Sequence, residues 1–208
     1  KAMAQILGIV QTSSGSSELL RSLCEQYLPG IEVRQFIGEG LLNPAISESG
    51  PAPADNRALF HLYEAAENVG CDAILNECVV YGNTATALAS FFNPRIVRID
   101  EGMILDALKI GKRFAIFGTA KAALHPSETL LLNLAYRRGL EVTVETHHVT
   151  RETLAVEAAK VDGTVDAILL AQPSMAALAP QLTGFKTPVL TVLDSGFRLL
   201  RDVMASLA

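Results

Sequence analysis

Short runs of aliphatic and aromatic residues alternate along the chain with longer segments in which apolar residues recur every three or four positions. The first pattern is typical of buried strands, and the second of helices that pack on a sheet. Because parallel strands need a crossover connection, usually a helix, this alternation predicts an α/β fold with mainly parallel sheets. The predicted strands are 6–10, 31–36, 73–75, 96–99, 114–117, 141–144, 167–170 and 189–193.

Polar residues that favour helix N-termini precede most of the helical patterns. An apolar stripe follows each of them, as expected for a helix that covers one face of a sheet. The predicted helix starts are Ser16 or Ser17, Asp55, Asn83, Ser127 and Ser195.

The sequence contains a weak internal repeat. The tetrapeptide at 72–75 recurs at 166–169, 94 positions later, and the same offset places Asp100 on Asp194. Segments 9–12 and 30–33 resemble 116–119 and 139–142 at offsets of 107 and 109. The first half therefore carries about 15 extra residues, which we assign to the Pro-, Gly- and Ser-rich segment 43–53.

The repeat predicts two pseudo-symmetric flavodoxin-like lobes, each with a mainly parallel four-stranded sheet flanked by helices. One lobe covers 3–99 with the returning C-terminal helix 195–208, and the other covers 111–193. An eight-stranded barrel is the alternative, but that fold typically needs about 250 residues. Ligands of such sheets bind at the carboxyl ends of the strands, so we expect an active site in the cleft between the lobes.

Cys78 follows the third predicted strand, and the repeat places Gln172 at the equivalent position of the other lobe. A thiol at a strand end, before a helix that opens near Asn83, can act as an acid, a base or a nucleophile. Packing in the core is the alternative role of a cysteine. The polar neighbours Asn76 and Glu77 favour function.

A hydroxyl-rich loop follows the first strand and contains Gln11, Thr12 and Ser13. Its hydroxyl and N–H groups can hold a carboxylate, although Ser and Gly are also ordinary turn residues. The loop lacks the glycine and lysine spacing of a phosphate loop. The equivalent turn of the second lobe contains Gly118 and Thr119.

Composition excludes several classes of protein. The 208 residues carry 17 Lys and Arg against 22 Asp and Glu, a net charge of −5, which argues against nucleic-acid and anionic-membrane partners. No apolar run reaches the roughly 18 residues of a membrane span, and no signal-peptide pattern is present. Three cysteines without an export signal argue against a disulfide framework, so we expect a cytoplasmic protein. His147 and His148 lack a second ligand pair, and no metal site is predicted.

Nearly the whole chain resembles the aspartate/glutamate/hydantoin racemase superfamily. The likeness is carried by segments 7–12, 72–78, 82–85, 114–119 and 171–176. Three motifs resemble a less characterised, racemase-like branch with one active-site cysteine. They are Asn-x-Cys-x-x-x-Gly at 76–82, Ile-Asp-Glu-x-Met at 99–103 and Ala-Gln-x-Ser-Met-Ala at 171–176.

The resemblance implies cofactor-free isomerisation at the carbon next to the carboxylate of a small acid. Two cysteines face each other in the amino-acid racemases, whereas this chain has Cys78 at the first position and Gln172 at the second. A glutamine cannot act as an acid or base near neutral pH. An alternative alignment places Gly82 on the first family cysteine. The expected substrate-binding residues are Gln11, Thr12, Ser13, Asn83, Thr84, Gly118, Thr119, Gln172 and Ser174.

The missing second thiol leaves other reactions open. Glu101, Glu77 or His125 could supply a second acid or base. One thiol also suffices for a lyase similar to the arylmalonate decarboxylases, and loss of the second thiol could leave a non-catalytic carboxylate-binding protein. We expect a small carboxylate as the partner and leave homo-oligomer formation open.

Overall fold

The computed structural model describes residues 5–207 and contains two four-stranded sheets in which all paired strands are parallel. The first has the order β2-β1-β3-β4 and the second the order β6-β5-β7-β8. This confirms the predicted two-lobe α/β fold. The strands are β1 Ile6–Gln11, β2 Glu32–Ile37, β3 Ala73–Asn76, β4 Arg95–Arg98, β5 Arg113–Gly118, β6 Thr143–His148, β7 Ala167–Leu170 and β8 Val189–Thr191.

Helices connect the strands and cover both sheets. They are α1 Ser17–Tyr27, α2 Pro44–Ser49, α3 Pro53–Asn68, α4 Gly82–Leu88, α5 Glu101–Ile110, α6 Lys121–Arg137, α7 Leu154–Ala159 and α8 Val192–Ser206. Short 3₁₀ helices cover Ser14–Ser16, Val79–Tyr81, Ala89–Phe91 and Pro173–Leu182.

The internal repeat corresponds to repeated hydrogen bonding at the amino ends of the sheets. The carboxylate of Asp72 accepts the Ile6 N–H at 2.7 Å. The carboxylate of Asp166 accepts the N–H groups of Lys112 and Arg113 at 2.8 and 3.0 Å. Each aspartate therefore ties the start of one central strand to its neighbour, which explains why this residue type occurs twice at the same place.

Some predicted boundaries are wrong. Strand β6 covers 143–148 rather than the predicted 141–144, and α6 begins at Lys121 rather than at Ser127. Ser127 does not cap a helix because its hydroxyl donates to the buried carboxylate of Asp100 at 2.9 Å. Ser195 lies inside α8, and Asp55 is the third residue of α3, where it accepts the Ala52 N–H at 2.8 Å.

A buried ion pair joins the two halves of the chain. Two nitrogens of Arg98 donate to the carboxylate of Asp100, at 3.0 and 2.7 Å. The same guanidinium donates to the carbonyl of Pro126 at 3.0 Å, and Ser127 completes the cluster from α6. Gly82 lies against this guanidinium so closely that a Cβ would overlap it.

Helix α8 returns to the beginning of the chain. Its apolar face, which includes Phe197 and Leu200, is buried in the larger hydrophobic core. The Gln5 amide donates to the Met204 carbonyl at 2.9 Å, which links the C-terminal helix to the residue before β1. The lobe boundaries stay a prediction, and residues 3, 4 and 208 lie outside the described part of the chain.

Candidate active site

A cavity of about 310 Å³ lies where the carboxyl ends of the two sheets meet. The loops after β1 and β3 form most of its wall, and the loop after β7 closes the opposite side. Its lining consists of Thr12, Ser13, Gly15, Ser16, Leu19, Leu42, Glu77, Cys78, Val79, Val80, Gln172, Pro173 and Ser174.

Cys78 lies at the transition from β3 to the 3₁₀ helix Val79–Tyr81. Its carbonyl accepts the side-chain amide of Asn76 at 3.0 Å, and Tyr63 donates to that amide's oxygen at 2.8 Å. Burial, with the nearby charge of Glu77, raises the pKa of the thiol to about 11, against opposing hydrogen bonds from Thr12 and two backbone N–H groups. The thiol is therefore protonated at neutral pH and can donate a proton.

Glu77 lines the same cavity beside Cys78. The Ser16 hydroxyl donates to its carboxylate at 3.0 Å, and the Gln11 amide donates to that hydroxyl at 3.2 Å. Burial raises the pKa of Glu77 to about 7, and the Ser16 bond only partly opposes this. A carboxyl group with this pKa exchanges protons readily at neutral pH, which is the property of an effective general base.

Gln172 faces these groups from the second lobe. Its Oε1 accepts the Thr119 N–H at 2.7 Å, the Ala120 N–H at 2.9 Å and the Thr119 hydroxyl at 3.2 Å. Because backbone N–H groups only donate, this atom must be the amide oxygen. The side-chain NH₂ is then the group left to face the cavity, which Ser174 also lines.

The structure does not bring all the predicted site residues together. Asn83, Thr84 and His125 line a neighbouring cavity, and the Thr84 hydroxyl is bonded to Asn56 at 2.6 Å. Glu101 begins α5 and pairs with Arg95 at 3.3 Å, outside the lining of the Cys78 cavity.

Three other predicted positions have structural roles. Gln11 is buried and organises the loop after β1 through Ser16 and Ser17. The buried Gly118 ends β5, where its carbonyl accepts the Val149 N–H at 3.0 Å. Gly82 faces Arg98 and does not line the cavity, so the alternative alignment receives no geometric support.

Sequence reasoning missed the aliphatic part of the lining. Leu19 projects from α1, Leu42 comes from the segment before α2, and Pro173 follows Gln172. Leu19 is 48% exposed. The three side chains are distant in sequence, so no spacing pattern could have grouped them.

The described residues contain no group of three or more His, Cys, Asp or Glu side chains placed to hold a metal ion. Within residues 5–207, no helix has the length and apolar character needed to cross a bilayer.

Solved structures with the same fold include racemases and an isomerase. No family model matches the sequence, and no curated protein matches it significantly. Glutamate racemase RacE1 from Bacillus anthracis has a TM-score of 0.72 at 14% identity over 97% of this chain and 82% of its own. Allantoin racemase from Klebsiella pneumoniae has a TM-score of 0.64 at 18% identity, over 98% of this chain and 89% of its own. Maleate cis-trans isomerase from Nocardia farcinica has a TM-score of 0.55 at 16% identity, over 97% of this chain and 93% of its own.

These neighbours confirm the predicted likeness to the Asp/Glu racemase superfamily at the level of the fold. Their low sequence identity means that residue roles must come from the cavity itself.

Proposed function

We propose that this protein is a cofactor-independent isomerase of the racemase type that acts on the carbon next to the carboxylate of a small acid. The observation that carries the proposal is the pairing of a protonated thiol, Cys78, with a carboxyl group of pKa about 7, Glu77, in one cavity between the lobes. The racemase and isomerase neighbours support the same reaction class.

In the proposed reaction the Glu77 carboxylate removes the α-proton and the bond electrons pass into the substrate carboxylate, which becomes enolate-like. Donors from Thr12, Ser13 and the Gln172 NH₂ stabilise the added charge. The Cys78 thiol then returns a proton to the carbon, and transfer of the first proton from Glu77 to the thiolate restores both groups. Protons and charge balance over the cycle without a co-reactant.

The test is hydrogen exchange in heavy water, followed by NMR at the α-position of amino, hydroxy and branched carboxylic acids. We expect exchange on one class of acid, and chiral analysis of the product shows whether exchange is accompanied by inversion. Cys78→Ser should lower the rate of inversion by at least about 10³-fold, since a hydroxyl is a far weaker acid than a thiol, whereas exchange through Glu77 alone retains the configuration.

Cys24→Ser is the matched control. Cys24 is also a buried free thiol, but it lies on α1 and does not line the cavity. This variant should keep the wild-type exchange rate. Inversion that survives in Cys78→Ser at the wild-type rate would overturn the assignment of Cys78.

A second candidate is a lyase that removes carbon dioxide and protonates the resulting carbanion. It is favoured by one observation: the second-lobe residues of the lining are Gln172, Pro173 and Ser174, none of which is a usable acid or base. A single proton donor suffices for this reaction. Carbon dioxide release in a coupled assay, with no exchange of the α-hydrogen of saturated acids, would favour the lyase.

A further inference from the structure

The charge of the cavity lining is one-sided. Among its thirteen residues, all within 5–207, Glu77 is the only one with a charged or chargeable side chain apart from the Cys78 thiol, and no Lys, Arg or His of this described range lines the cavity. The neighbouring cations are engaged elsewhere: Arg98 is paired with buried Asp100, and Lys121 with Glu48 at 2.7 Å. A second carboxylate on a ligand would therefore meet no compensating cation in this lining, and its desolvation would cost free energy.

The polar donors of the cavity suffice for one carboxylate. Hydroxyl groups come from Thr12 and Ser13 on the loop after β1, since the Ser16 hydroxyl already donates to Glu77. Gln172 lies on the opposite side, where its oxygen is bonded to backbone N–H groups and its NH₂ group is left as a donor. Neutral donors of this kind bind carboxylate oxygens without a formal positive charge.

The rest of the lining is aliphatic. Val79 and Val80 come from the 3₁₀ helix after Cys78, Leu42 from the segment before α2, and Pro173 from the second lobe. Leu19, almost half exposed, extends this surface at the cavity. Val79 and Val80 are already buried, so an apolar group of a ligand would mainly remove Leu19, Leu42 and Pro173 from water, which is favourable in proportion to the area covered.

We propose that the site takes a small monocarboxylate whose α-carbon carries an uncharged, apolar substituent, and that it discriminates against dicarboxylates. The carboxylate would lie against the hydroxyl loop and Gln172, and the apolar substituent against Leu19, Leu42 and Pro173. Glu77 would repel a second carboxylate. This substrate class rests on the proposed function for its chemistry, but binding alone tests it.

The experiment compares two ligands that differ in one group, 2-methylhexanoate and butylmalonate, in which a carboxylate replaces the methyl group. Isothermal titration calorimetry at pH 8 should give at least about tenfold tighter binding of 2-methylhexanoate. Lactate, which lacks the butyl chain, should bind at least about tenfold more weakly than 2-methylhexanoate. Tighter or equal binding of butylmalonate or lactate, or no measurable binding of 2-methylhexanoate, would overturn the proposal.

Two pairs of variants separate the contributions. Leu19→Ala should weaken the binding of 2-methylhexanoate about fivefold. Leu132 is a similarly exposed leucine on α6 outside the cavity, so Leu132→Ala should leave this affinity unchanged. Glu77→Gln should bring butylmalonate closer to 2-methylhexanoate in affinity, and Glu18→Gln on the exposed side of α1 should not. A Leu19→Ala variant with wild-type affinity would contradict the predicted position of the apolar group.

The outcomes distinguish this proposal from the proposed function. Tight binding of 2-methylhexanoate without α-hydrogen exchange on any acid supports the substrate class and removes the isomerase. Inversion of a chiral dicarboxylate that is abolished by Cys78→Ser keeps the isomerase and overturns the substrate class.

Discussion

The ends of β3 and β7 occupy equivalent positions in the two lobes but present different chemistry. After β3, Glu77 and Cys78 project into the cavity with raised pKa values. After β7, the Gln172 oxygen is bonded to the N–H groups of its own lobe's Thr119 and Ala120. The hydrogen bonds of the backbone are repeated at both places: Glu77 N–H donates to the carbonyl of Val10, and Ala171 N–H to that of Phe117.

This comparison shows that the repeat preserves strand pairing while the side chains at the strand ends are free to differ. Sheet geometry depends on main-chain hydrogen bonds and on buried aliphatic residues. The side chain that follows the last paired residue is not constrained in this way, so one lobe can provide proton transfer and the other hydrogen-bond donors.

The aspartates after β4 and β8 give the comparison its largest expected effect. The Asp100 side chain is 1% exposed and paired with Arg98, whereas its repeat equivalent Asp194 is 60% exposed. Asp100→Asn should lower the free energy of unfolding by about 3–5 kcal/mol, because Arg98 loses its buried counter-charge. Asp194→Asn should cost less than about 1 kcal/mol. Urea denaturation measures both, and equal losses would contradict the difference between the lobes.

A pH series tests Glu77. Its pKa is about 7 in the folded protein and near its ordinary 4.5 in the unfolded chain, so the folded state holds its proton more tightly. This contribution to stability is complete below about pH 4.5 and is lost as the pH rises through 7. As the pH rises from 4.5 to 8, the free energy of unfolding of Glu77→Gln should therefore increase relative to that of wild type by on the order of 2 kcal/mol, after allowance for solvent in the cavity.

The catalytic counterpart is the rate profile. The wild-type rate of inversion should rise with pH through about 7, as Glu77 ionises, and fall again near 11, as Cys78 loses its proton. Ser16→Ala removes the hydrogen bond that favours the Glu77 carboxylate and should move the lower limb to higher pH. A lower limb that stays in place in this variant would show that Glu77 does not control it.

Gln172 is expected to matter less for stability. Gln172→Ala removes the acceptor for two N–H groups, and since water in the cavity can replace it, we expect a loss of about 1 kcal/mol. Ser174→Ala, a neighbouring lining residue, should be close to neutral. Thermal denaturation measures both variants, and a loss above about 3 kcal/mol would indicate that the turn at 118–120 depends on Gln172 for its folding.

The smallest effect belongs to the insertion at 43–53, through which the first lobe differs in length from the second. Its helix α2 packs on α6, and Glu48 pairs with Lys121 at 2.7 Å between exposed side chains. Glu48→Gln should change stability by less than about 0.5 kcal/mol. A double-mutant cycle with Lys121→Met measures the pair, and a coupling above about 1 kcal/mol would contradict its assignment as a surface contact.

The fold could be predicted from local patterns because the apolar runs of β3 and β7 are each preceded by an aspartate. Cys78 could be located because it directly follows one of these strands. The position of Glu101, His125, Asn83 and Thr84 outside the cavity could not be predicted, since it depends on how α4, α5 and α6 pack. The predicted start of α6 was wrong because Pro126 and Ser127 are residue types typical of a helix N-terminus, although both are buried inside the helix.

The three kinds of surface around the cavity have a stereochemical consequence. Donors on one side, a thiol and a carboxyl group on another and aliphatic side chains on a third form a chiral environment with three dissimilar contacts. Two mirror-image ligands cannot satisfy all three contacts equally, so their bound populations must differ. The protein would then distinguish the two enantiomers at the binding step, before any bond to hydrogen is broken.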